Sequence, residues 1–243
     1  MAQLKNSLRM KSGLSKWRED LEPQVRELRF TIYLLRQSPL VVAGFILMFA
    51  FVSMAIFAPW ITPYGPEERI WEAKLQPPSS QHFFGTDESG GDIFSRIIWA
   101  SQLDLAIAVI VVATAMAIGS VMGAVSGFLG GKIDEVMMRI TDIFLAFPAL
   151  ILAMTIAAAL GRNLTNLTIA LIIVWWPAYA RLIRGQVLSE REKLYVEAAR
   201  AVGAPTRRII FRHVLPNSIY PLLINATLDL GGVILTAAGL SFI

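Results

Sequence analysis

The 243-residue chain contains no cysteine. That excludes a disulfide framework, a thiol nucleophile and a thiolate-bound metal. Histidine is limited to His82 and His213. Charge is scarce too: 16% of residues are Asp, Glu, Lys or Arg, while 55% are hydrophobic. So little polar surface cannot cover a soluble protein of this size and points to a membrane protein. The net charge of +4 does not read as nucleic-acid binding, because the charges collect in short segments between apolar runs. The early apolar core of a signal peptide is missing from residues 1–38, which are polar and basic. A phosphate-binding loop is missing as well. Its nearest candidate, Gly131-Lys132, has Ser126 where the first glycine belongs and Ile133 where Ser or Thr belongs.

What the chain does have is long apolar runs. About 20 apolar residues cross a hydrocarbon core as a helix, and five stretches qualify. These are Leu40–Ala58, Leu105–Gly131, Ile143–Gly161, Asn163–Ala180 and a run from about Asn217 to Ile243 that contains Asp229. The reading is an all-α, polytopic transmembrane helix bundle. Its parts are a cytoplasmic amphipathic segment (1–38), a first span (39–61), an external segment (62–102) and a membrane core (103–243). A cytoplasmic loop at 185–216 interrupts the core. With the N-terminus inside, only Arg69, Lys74, Arg96 and Arg162 of the 22 Lys and Arg lie outside. The positive-inside rule therefore orients the chain with residues 181–216 in the cytoplasm. His82 and His213 then fall on opposite sides and cannot share a metal or a proton relay.

The loop is the charged exception. In "EAARAVGAPTRRIIFRHVLPN" (197–217), arginines sit between two apolar spans. Ser189-Glu190-Arg191-Glu192 fits a capping box, so a helix is expected to start at Ser189. Tyr195, Ala198, Ala199 and Val202 form a small apolar stripe, and Lys193 and Glu197 sit four apart on another face. Gly203 is a helix stop, Pro205 opens a second helix to Arg212, and Leu215-Pro216 turns the chain back into the bilayer. On physical grounds alone this hairpin is either a docking element or an ordinary interfacial amphipathic helix.

A family resemblance bears on that choice. Glu197-Ala198-Ala199, Gly203 and Leu215-Pro216 resemble the EAA signature of ABC-importer permeases. "RIIFRHVLPN" (208–217) resembles the dipeptide/oligopeptide/nickel branch, C-type subunit, as do "FGTDESGGDIFSRIIWA" (84–100), "GGKIDEVMMRITDIFLAFP" (130–148) and "WWPAYARLIRGQVLSERE" (175–192). The resemblance implies a type I permease fold in the inner, cytoplasmic membrane. It implies that Glu197, Ala198, Ala199, Gly203, Arg207, Leu215 and Pro216 couple to a cytoplasmic ATPase. The implied partners are a second permease subunit, two ATP-binding subunits that hold ATP and Mg, an external solute-binding protein and membrane lipid, with no nucleic acid. No cofactor or catalytic site is implied in this chain. The branch usually has a sixth span, which is expected to be missing here by truncation. The sequence departs from the branch at Gly90-Gly91-Asp92, at Ala100–Leu105, and at Ala237, where an acid is usual.

Ionisable groups at membrane depth are functional candidates. Asp229, with Asn225 one turn before it, is either a polar spot on the translocation path or a helix–helix contact. Pro148 and Pro177 interrupt spans three and four and free backbone carbonyls, and are the other path candidates. Gly119, Gly123 and Gly127 have small-xxx-small spacing that favours close packing, and Gly231-Gly232 suggests the same. Arg139 and Asp142 are expected to pair along one helix. Asp87, Glu88 and Asp92 lack the spacing of a calcium loop. Leu28, Ile32 and Leu35 share one face of an N-terminal amphipathic helix, which either lies on the inner leaflet or guides assembly. The expected function is a peptide permease subunit. The alternatives are the same importer class moving oligosaccharides or nickel, a secondary transporter, and an intramembrane enzyme, for which Asp229 has no catalytic partner at depth.

Overall fold

The computed structural model describes residues 37–242 together with Phe30, Tyr33 and Leu35. The expected N-terminal amphipathic helix lies mostly outside the described residues. The chain divides into two units between Phe57 and Ala58. Helix α1 (Pro39–Ile61) begins in the first. It carries no charge and is apolar all round, as a helix facing lipid or another apolar surface must be.

The second unit holds helices α2 to α9. Helix α2 (Ile93–Leu129) has 37 residues, about 55 Å at 1.5 Å per residue. That exceeds the roughly 30 Å hydrocarbon core, so its ends extend beyond the apolar layer. The Asp92 carboxylate caps its start by accepting from the Ser95 N–H, and Gly130 (φ +67°) and Gly131 (φ +56°) turn the chain at its end. Helices α3 (Gly131–Leu145) and α4 (Ala149–Leu160) follow, then α5 (Leu164–Glu190). After the loop helices described below, α9 (Tyr220–Phe242) ends the described chain. Among the described residues, four helices, α1, α2, α5 and α9, are long and apolar enough to cross a membrane, and the pair α3 and α4 makes a fifth span if counted as one.

The third span is interrupted at Pro148, as expected. The apolar run Ile143–Gly161 is divided between α3 and α4, a pair bent by 88°, with Pro148 in an extended conformation ahead of α4. Proline drives the residue before it out of the helical region and cannot donate to the preceding turn. Pro177, by contrast, is accommodated within an unbroken α5, so the interruption expected there is absent. Helix α2 also begins at Ile93, inside the stretch expected to be external segment.

The core is the seam between α2 and α5. A Cβ on Gly119 would lie 2.7 Å from the Trp176 carbonyl oxygen, one on Gly123 would meet Ile183 Cγ2 at 2.9 Å, and one on Gly127 would meet the Arg184 carbonyl at 2.9 Å. No larger residue fits at these positions, and the close approach maximises dispersion between backbones. The contact positions advance together along both helices, so α2 and α5 run in the same direction. That is the parity a second and a fourth span require. Gly231 and Gly232 face open space within this chain and do not form the close contact expected of them.

Between α1 and α2 the segment expected to be external folds on itself. The Asp87 side chain accepts from the N–H groups of Ser89 (2.8 Å) and Gly91 (2.9 Å) and pairs with Arg96. Asp92 accepts from His82 Nδ1 at 3.0 Å, with both residues buried. The Tyr64 ring stacks on His82 with centroids 5.0 Å apart. The Trp99 indole N–H donates to the Tyr64 carbonyl at 3.2 Å. Of the acids considered for calcium, Asp87 thus holds a turn and Asp92 a helix cap, and no cluster of three metal-ligating side chains occurs among the described residues.

Candidate functional site

The charged loop is built from three short α-helices and a π turn, joined to α5. The capping box at Ser189 is not used, because α5 runs through Ser189 to Glu190. A new helix, α6 (Leu194–Ala201), starts after Lys193, which gives no side-chain cap. Glu190 closes the junction instead. It accepts from Lys193 Nζ at 2.6 Å and from the Tyr195 hydroxyl at 2.9 Å. Lys193 therefore pairs backward with Glu190, not forward with Glu197. Burial, followed by the hydrogen bond to Glu190, raises the Tyr195 pKa above its ordinary value, so its hydroxyl stays protonated and donating.

Helix α6 ends at Gly203 as expected. The Gly203 N–H donates to the Arg200 carbonyl at 2.9 Å and the Ala204 N–H to the Ala199 carbonyl at 3.1 Å. With Gly203 at φ +77° this is a Schellman cap. The apolar stripe is out of phase with the expectation. Val196, at 0% exposure, pins the helix to the body, with Ala199 partly buried beside it. Tyr195 and Ala198 are exposed, and Leu194 (81%) and Val202 (83%) stand almost wholly free of this chain. Glu197 is exposed and has no ion pair among the described residues.

The second half of the loop is longer than expected. Helix α7 (Thr206–Ile209) passes into a wide π turn (Ile210–Val214) and then α8 (Leu215–Ser218). Leu215-Pro216 is thus inside a helical run and does not turn the chain. Pro216 has no N–H for the Arg212 carbonyl, and a wider turn just ahead of it gives its ring room. Side chains close the ladder: Asn217 Nδ2 donates to the His213 carbonyl at 2.7 Å and the Ser218 hydroxyl to the Val214 carbonyl at 2.9 Å. Ile209, Ile210, Val214 and Ser218 are buried and fix the segment, while Arg207, Arg208 and Arg212 point outward without ion pairs among the described residues.

The same loop is tied to the helices above it. Arg184 grips Asp134 in α3 with a two-pronged contact, Nε to Oδ1 at 2.6 Å and Nη2 to Oδ2 at 2.7 Å. The buried Ser126 hydroxyl also donates to Asp134. Arg191 Nη1 donates to the Gly127 carbonyl at 2.9 Å, and the Arg200 guanidinium lies 5.1 Å from the Phe128 ring centroid. Asp142 pairs with Arg181 at 2.5 Å and not with Arg139. Spacing along one helix showed only the local candidate; the actual partner comes from α5.

The membrane-depth residues are less gathered. Asp229 on α9 is half-buried and Asn225 is exposed. Asp229 does interact with Tyr179, a buried residue on α5 that sequence reading did not single out. The Tyr179 hydroxyl makes no hydrogen bond of full geometry. Pro177 lies buried two residues before Tyr179, whereas Pro148 is exposed at the α3–α4 bend.

Comparison with known proteins bears on what such an arrangement serves. Residues 119–243 match the family described as binding-protein-dependent transport system inner membrane component. Residues 31–78 match the N-terminal TM domain of oligopeptide transport permease C. The chain is 45% identical over 212 residues to the probable D,D-dipeptide transport system permease protein DdpC of Escherichia coli K12, covering 87% of this chain and 71% of that one. It is 41% identical over 232 residues to the dipeptide transport system permease protein DppC of Alkalihalophilus pseudofirmus (96% and 73% covered). It is 36% identical over 233 residues to the oligopeptide transport system permease protein OppC of Bacillus subtilis (96% and 73% covered).

Proposed function

Since the chain belongs to the family of binding-protein-dependent transport system inner membrane components, a multi-pass membrane permease that works with other transporter subunits, we propose that it forms half of a path for small peptides across the cytoplasmic membrane. In this reading its N-terminus and the loop 185–216 are cytoplasmic. Two ATP-binding subunits hold the ATP and Mg, a second permease completes the path, and an external solute-binding protein delivers the peptide. The names of the relatives favour peptides over oligosaccharides or nickel.

The observation that carries the coupling role is the exposure of Leu194 and Val202 at the two ends of a helix that Val196 otherwise holds firmly. Exposed apolar ends on a rigid, capped helix suit insertion into a partner's groove. Glu197 and Ala198 fill the exposed face between them, Ala199 backs that face from the body side, and Gly203 sets where the helix stops. Arg207 lies on the basic side, while Leu215 and Pro216 belong to the run that returns the chain to α9. The energy comes from the difference between the ATPase's open and closed forms, which the docked helix feels as a change of position. Closure then tilts the flanking spans and switches the path between inward- and outward-facing. Asp229, Asn225, Pro148 and Pro177 are the positions we assign to that path, with the ammonium of a peptide as the group that Asp229 suits by charge.

Co-expression tests this reading. The chain should copurify with two ATPase subunits and a second permease, and Glu197→Lys or Gly203→Pro should leave ATP hydrolysis but abolish coupled uptake. Normal peptide uptake by either variant would remove the lever.

A further inference from the structure

We propose that Asp134 and Arg184 form a strut that makes the coupling helix, α5 and α2 move as one body, so that Asp134 is a positioning residue for coupling. The inference deepens the transport reading above and rests on it. Four pieces converge at the strut: the C-terminal end of α2, the start of α3, the last turns of α5, and α6. Arg184 and Asp134 make two charge-assisted hydrogen bonds in a fixed fork geometry, which resists rotation as well as separation. Ser126, fully buried in α2, adds a third bond to the same carboxylate. The Gly127 carbonyl, one of those left without a partner at the end of a helix, accepts from Arg191. The Arg200 guanidinium of α6 lies on the ring of Phe128, the next residue of α2. Beneath these contacts, the backbones of α2 and α5 touch at Gly127, with no side chain between them to yield.

The other exit from the loop is built differently. Ser218 is separated from α9 by Ile219 alone, no ion pair joins the loop to α9 among the described residues, and the glycines of α9 face open space. A pull on α6 is therefore carried into α5 and α2 through ion pairs, a charge-assisted backbone contact and a cation–π contact, while toward α9 it is carried by backbone and by the apolar packing of Leu222, Val233 and Ala237. Local propensity and helix spacing do not account for this asymmetry, since Asp134 and Arg184 are 50 positions apart.

The test uses the full complex reconstituted with ATPase subunits, second permease and binding protein. Uptake of a peptide per ATP hydrolysed is measured beside hydrolysis rate and thermal stability. Asp134→Asn is expected to hold hydrolysis and stability near wild type and to lower uptake per ATP by about tenfold. The swapped pair Asp134→Arg with Arg184→Asp is expected to recover the ratio to within about threefold of wild type. An unchanged ratio in Asp134→Asn overturns the strut. So does a parallel fall of uptake, hydrolysis and thermal stability, which marks a purely structural pair. Should Asp134→Asn not assemble, Arg184→Lys asks the same question by keeping the charge and losing the fork, and failure of both to assemble likewise overturns the strut. A wild-type complex that does not bind ATPase subunits or import peptide would contradict the transport reading itself, and is told apart by that control.

Discussion

The segment between α1 and α2 and the loop between α5 and α9 are similar in length and polarity, yet they are built to opposite ends. In the first, polar groups satisfy one another. Asp87 binds a turn and Arg96, Asp92 binds His82 and the start of α2, and Tyr64 is held by both a ring and a carbonyl contact. In the second, side chains facing the body are fixed, while Leu194 and Val202 are exposed and Glu197 and three arginines have no ion pair among the described residues. A closed polar network rigidifies. An exposed apolar pair on a pinned helix keeps its binding energy for another molecule. The difference separates a closed framework from the proposed docking element more clearly than the charge count of either.

The sharpest contrast uses one substitution in both places. Gly90 and Gly203 share φ +77°, but a Cβ on Gly90 would strike the Ile70 carbonyl whereas one on Gly203 meets nothing. Gly90→Ala should therefore cost about 3 kcal/mol, strain plus a steric clash, read as a lower Tm and as faster tryptic cleavage at Arg69 and Lys74. Asp92→Asn comes next, at about 2 kcal/mol from weakening a buried polar contact. Burial pushes the Asp92 carboxyl up, but the Ser95 N–H and His82 more than offset it, so its pKa lies below the ordinary 3.8. A depressed carboxyl stabilises the fold above its unfolded pKa and loses that contribution as pH falls through the folded value. The stability gap between wild type and Asp92→Asn should thus be full at pH 7 and shrink below about pH 4.

Gly203→Ala should cost only about 1 kcal/mol, the strain of a left-handed residue with space around it. The smallest stability effect belongs to Val202→Ser, within about 0.5 kcal/mol. Its uptake should nonetheless fall by about tenfold if Val202 fills a partner's pocket. A Val202→Ser variant with full uptake would put the proposed coupling loop in the same class as the segment between α1 and α2.

How much of this was legible beforehand follows the range of the interactions. Four of the five apolar runs, the stop at Gly203 and the seam of Gly119, Gly123 and Gly127 are local or periodic signals, and each is found where expected. The start of α6 was misread, because Ser189-Glu190-Arg191-Glu192 has the right letters but lies within a helix already propagating, and continuing a helix is cheaper than starting one. The phase of α6 was misread because eight residues leave the apolar period undetermined by about one position, and Val196 instead faces the body. The Asp142–Arg181 and Asp134–Arg184 pairs were out of reach, since each joins helices whose neighbourhood only the fold defines. The same holds for Tyr179, whose role depends on Asp229 arriving from α9.

The central claim is that α6 docks a cytosolic motor. Because the chain has no cysteine, Val202→Cys gives a single reporter, read with a membrane-impermeant maleimide on vesicles of both orientations. The account predicts labelling only from the cytoplasmic face, and protection there once ATPase subunits are bound. Labelling from the external face, or labelling that bound ATPase leaves unchanged, would contradict it.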